Sequence, residues 1–101
     1  MKPKPDTELV TRGGSLALSG LVDGDVLALF LERLAELSPE DRPIAIELAH
    51  ATFEREAFAE GLARAIRALA ARLGLVHVHG APRAVRAALQ DAPSVELRDP
   101  R

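Results

Sequence analysis

The stretch from Pro43 to His79 constrains this chain more than any other. Ile44, Ile46 and Leu48 alternate with Ala45 and Glu47, which reads as a half-buried strand. Ala49–Phe53 reads as a short turn. From about Glu54 to Leu73 the period changes to that of a helix. Phe58, Leu62, Ala65, Ile66, Leu69 and Leu73 form its core face, and Glu56, Glu60, Arg64 and Arg67 its outer face. Gly74 ends the helix. Leu75–His79 alternates again, with Val76 and Val78 opposed to Leu75, His77 and His79. Strand, helix and strand in this order form a βαβ crossover with parallel strands and a right-handed connection.

The segments on either side extend that unit. Glu8–Thr11 and Ser15–Ser19 flank Gly13-Gly14 and read as a hairpin. Its register sets Arg12 opposite Ser15 and Leu9 opposite Leu18, with Leu9, Leu16 and Leu18 on one face. Gly20–Asp25 reads as a turn. A first helix then runs to about Leu37, N-capped by Asp23 and stapled by Val22 and Leu27. Leu27, Phe30, Leu31, Leu34 and Leu37 are its buried stripe. Asp25, Leu29, Glu32 and Glu36 face out, so Leu29 is an apolar residue on a charged face and a candidate partner contact. Pro82 opens a third helix with Val85, Ala88 and Leu89 facing in, and Val95 and Leu97 mark a last strand.

The expected fold is therefore α/β, with a mixed sheet of four to five strands. Each strand has one apolar and one mixed face. A parallel sheet covered on both sides would be apolar throughout, so the helices are expected mainly on one face. In the long helix, Ala57, Gly61, Ala65 and Ala68 form a ridge of small residues that predicts close helix approach. Glu60 and Arg64 stand in the favourable i,i+4 order, worth about 0.2–0.5 kcal/mol.

Length and composition limit the rest. The chain has 101 residues, enough for one domain; residues 1–6 read as a loose tail and 7–101 as the domain. Net charge is -2 and Trp and Tyr are absent, which argues against stacking on nucleic-acid bases. Without Cys there are no disulfides or thiolate metal sites. No apolar run has transmembrane length, and the N-terminal residues lack the apolar region of a signal peptide. A cytoplasmic location without membrane insertion is expected.

Few residues suggest chemistry. Glu47, His77 and His79 share a sheet face and could hold zinc or iron, although alternation on a solvated face produces the same pattern. His50 stands alone in a turn. No phosphate-binding glycine loop or nucleophile signature is present. The expectation is a chain without catalytic activity or cofactor. Thr52 is the one hydroxyl before the long helix and is expected to be its N-cap. Glu54 and Glu56 fall in the first turn, where the helix dipole favours acids.

From Glu8 to Leu97 the pattern resembles a STAS domain, the fold of bacterial anti-sigma factor antagonists. Leu16–Asp23 looks like the family's strand followed by Gly, an apolar residue and an acid. Ile44–Leu48 is similar to the strand that ends in Asp-Leu in the family. Phe53 matches the apolar position before the phosphorylation turn. Leu75–Gly80, then Val85 and Leu89, resemble the last long strand and the helix after it. The resemblance implies a β–α superhelix and a regulatory protein–protein module. The family signature at the start of the long helix is Asp-Ser-x-Gly, with Thr as the alternative acceptor. Arg55-Glu56-Ala57-Phe58 occupies that place here, so the phosphoacceptor is missing and Glu56 stands near it.

The implied partner is an anti-sigma factor or related kinase. The implied contact surface comprises His50, Thr52, Glu54, Arg55, Glu56, Glu60, Arg64 and Leu29. Two alternatives accompany this reading. One is an accessory subunit on the ATPase of a lipid-transporting ABC complex. The other is a small-ligand or metal-binding module on the open sheet face.

Overall fold

The computed structural model describes residues 8–98. The expected tail and the face assigned to the Leu9 side chain lie outside the described residues. Strands β1 (Glu8–Arg12) and β2 (Ser15–Val22) form the hairpin around Gly13-Gly14. Its register is the expected one, Arg12 opposite Ser15 and Leu9 opposite Leu18. Strands β3 (Ile44–Glu47), β4 (Ala51–Phe53), β5 (Val76–His79) and β6 (Val95–Arg98) follow, with helices α1 (Gly24–Glu36), α2 (Glu56–Leu73) and α3 (Arg83–Leu89) between them.

The strands lie in the order β1-β2-β3-β5-β6, with β4 also paired to β2. Only the β1–β2 pair is antiparallel, so the sheet is mixed. From β2 onward the chain steps across the sheet in one direction. Crossovers of a single hand therefore place all three helices on the same face. Leu16, Leu18, Ile44, Ile46, Val76 and Val78 point into that layer and are buried. Phe30, Leu62, Ile66, Val85 and Leu89 cover them from the helices and are also buried.

Two segments expected as turns are strand. β2 continues through Gly20, Leu21 and Val22, and these residues pair in parallel with Ala51, Thr52 and Phe53. The chain from 44 to 53 is thus one broken strand beside β2. Its first part bonds to β5 as well, the last contact being Leu48 N–H to His79 O at 2.8 Å. A turn at Ala49-His50 then frees β4 from β5, while Gly20 N–H donates to His50 O at 2.9 Å. The pairing joins segments about thirty residues apart in a chain whose local signals are Gly and short apolar pairs, so no period is visible in either segment.

That ladder also sets where α2 begins. Glu54 N–H donates to Val22 O at 3.0 Å, which keeps the chain extended. The helix starts at Glu56 with Arg55 as N-cap. Thr52 is therefore not the cap; it lies in β4. Asp23 does cap α1, its carboxylate accepting from Val26 N–H at 2.9 Å.

The small-residue ridge also differs from expectation. A Cβ on Gly61 would meet nothing nearer than Arg64 Nη2 at 3.9 Å. The alanines buried in α2 are Ala59, Ala63 and Ala70 instead, while Phe58 and Ala65 are only partly covered. Glu60 and Arg64 form no ion pair, since the Arg64 guanidinium lies over Gly61. Arg72 ties α2 to α1 by donating to Leu37 O at 2.8 Å and Leu34 O at 3.2 Å, two carbonyls at the C-terminal end of α1.

Candidate functional site

The expected contact residues gather where β4 passes into α2. His50, Thr52, Glu54, Arg55 and Glu56 are all exposed. Their side chains make no hydrogen bond or ion pair among the described residues. The N-terminal turn of α1 adjoins this junction, for a Cβ on Gly24 would lie 3.7 Å from the Phe58 ring. Glu60 and Arg64 continue along the exposed side of α2. Leu29 is 44% exposed on α1, a different helix from the one that carries Glu60 and Arg64. The junction thus presents mixed fixed charge at the carboxyl ends of parallel strands, where ligands of α/β folds commonly bind. It contains no nucleophile–base pair.

The open sheet face carries the other candidates. His77 sits opposite Glu96, and His79 stands between Glu47 and Arg98. His77 Nδ1 lies 2.7 Å from Glu96 Oε1. The same oxygen accepts from Arg98 Nη2 at 2.7 Å and Nε at 3.0 Å. These contacts hold the Glu96 carboxyl below its ordinary range, chiefly through the Arg98 hydrogen bond, with His77 adding to it. Glu47 turns back on its own strand and accepts from Ala49 N–H at 3.0 Å. Glu47, His77 and His79 therefore share a face without converging. Among the described residues no three His, Asp or Glu side chains are placed to hold an ion.

A feature that sequence reasoning missed is a shallow apolar groove of about 220 Å³ between α1 and α2. Leu31, Ala35, Ala65 and Ala68 line it, and Arg72 closes one end. The small residues at Ala65 and Ala68 were its only signal, and they mark a gap rather than a tight contact.

No model of a known protein family matches the chain, and no curated protein does. Among the described residues, no helix is long and apolar enough to cross a membrane.

Proposed function

We propose that this chain is a non-enzymatic regulatory module of the STAS type, similar to the anti-sigma factor antagonists, acting in the bacterial cytoplasm by binding a protein partner. The junction of β4 and α2 is its contact surface, with Glu60, Arg64 and Leu29 at the margin. The observation that carries this reading is the contrast between two helix starts in one small fold. α1 is closed by Asp23, whereas α2 begins at Arg55 with no side-chain cap. An uncapped helix start forgoes about 1 kcal/mol, and such a loss is tolerated where exposed groups serve binding. An α/β sheet with its helices on one face supports the reading.

In this reading Glu54 and Glu56 supply fixed negative charge, and no Ser or Thr stands at the family's acceptor position. A Glu carries one charge where a phosphoserine carries about 1.5–2, so Glu56 imitates the phosphorylated state only in part. Thr52 is exposed in β4, so its phosphorylation state is part of the test.

The experiment uses wild type, Glu56→Ser and Glu56→Lys as baits, each with an unchanged fold, followed by calorimetry on the captured partner. A basic partner surface should bind wild type best and Glu56→Lys worst. Equal affinities would remove the junction from the interface. Capture of a transporter ATPase would favour the ABC-subunit role instead, and stoichiometric phosphate on Thr52 in cells would overturn the fixed-charge reading.

A further inference from the structure

Among the described residues the sheet ends at β6, and one side of that strand has no neighbour. On the closed side Val76 N–H donates to Ser94 O at 2.8 Å and Gly80 N–H to Arg98 O at 2.9 Å. Backbone groups along a strand point alternately to its two neighbours. Ser94, Glu96 and Arg98 therefore aim theirs at β5, and Val95 and Leu97 aim theirs at the open edge. Val95 and Leu97 are also only partly buried against the core. On the opposite face Glu96 and Arg98 stand two residues apart with opposite charge, and His77 holds the Glu96 carboxylate from behind.

We propose that β6 is a self-pairing edge that takes a second copy of this chain, antiparallel, about a two-fold axis at Leu97. The charge pattern selects this register from the few that two-fold symmetry allows. Centring on Val95 would set Leu97 against Pro93, which has no N–H to give. Centring on Glu96 would oppose two glutamates, and centring on Arg98 two arginines; like charges directly across a ladder destabilise it. Centring on Leu97 sets each Glu96 opposite the Arg98 of the other copy. Those residues fall in the non-hydrogen-bonded type of pair, whose Cα atoms approach to about 4.5 Å. Leu97 meets Leu97, and their outward N–H and C=O groups bond to each other.

The edge is short and buries less than the ~1,200–2,000 Å² of a standard interface, so the dimer is weak and must be sought at high concentration. The test is sedimentation equilibrium over a concentration series at low salt, with folds checked by circular dichroism. Wild type should approach dimer mass as concentration rises. Glu96→Arg and Arg98→Glu each reverse two symmetric contacts and should weaken association by about tenfold or more. An equimolar mixture of the two variants restores complementarity and should dimerise again, as should the double variant with both changes. A wild type that stays monomeric throughout would overturn the proposal. So would single variants that associate as well as wild type, or a mixture that gains nothing over its components.

Discussion

Gly80 lies so close to Ala49 that a Cβ built on it would stand 2.6 Å from the Ala49 Cβ and 2.7 Å from its Cα. The turn that separates β3 from β4 is seated against this glycine. Gly80 also has φ +66, a conformation that costs an L-residue about 1–2 kcal/mol. Gly80→Ala therefore meets both strain and overlap with backbone, and should destabilise the fold by about 2–4 kcal/mol. Urea denaturation measures this, and a loss below 0.5 kcal/mol on the order of experimental error would show that the turn does not depend on the contact.

Gly61→Ala should have the opposite sign. The added methyl makes only an ordinary contact with the Arg64 guanidinium, at 3.9 Å, and Ala is better than Gly in a helix interior by about 0.5–1 kcal/mol. An increase in stability of that size is expected, and a decrease would mean that α2 is packed more tightly at this flank than its geometry indicates.

The two helix starts give a paired prediction. Asp23→Ala removes the bond to Val26 N–H and should cost about 1 kcal/mol. Arg55→Asp supplies α2 with the cap it lacks and an acid at its positive end, and should stabilise by about 0.5–1 kcal/mol. If the junction binds a partner, the same Arg55→Asp change should alter affinity while stability rises. A variant that gains stability and keeps full affinity would separate Arg55 from binding.

Glu96 makes the open face sensitive to acid. Its folded pKa lies below the ordinary 4.5, mainly because Arg98 donates to it. A lowered folded value means that the contribution is present above the unfolded pKa and is lost as pH falls through the folded one. Stability should therefore decline below pH 4.5, and Glu96→Gln should make that decline shallower. An NMR titration of the Glu96 carboxyl carbon with its midpoint at or above 4.5 would contradict the assignment.

Much of the architecture was legible in local pattern. Alternation in Ile44–Leu48 and Leu75–His79 marked two strands and their buried face. Helical spacing marked α1 and its Asp23 cap, and Gly-Gly set the hairpin register. These are short-range signals, carried by residues whose neighbours in space are also near in sequence or repeat with a fixed period. The junction before α2 was legible as an acidic, exposed turn, but its shape was not. β4 exists because Ala51–Phe53 meets the far half of β2, and that pairing moved the helix start past Thr52 to Glu56. Likewise, Glu47 gave its carboxylate to Ala49 and His77 turned to Glu96, so three residues on one face did not converge. The sequence by itself marked the hairpin, β3, β5, β6 and the three helices, and the apolar side of β3, β5 and α1. Tertiary structure decided where the strand beside β2 breaks, which residue caps α2 and which side chains pair, because each depends on contacts between segments whose separation along the chain leaves no period to read.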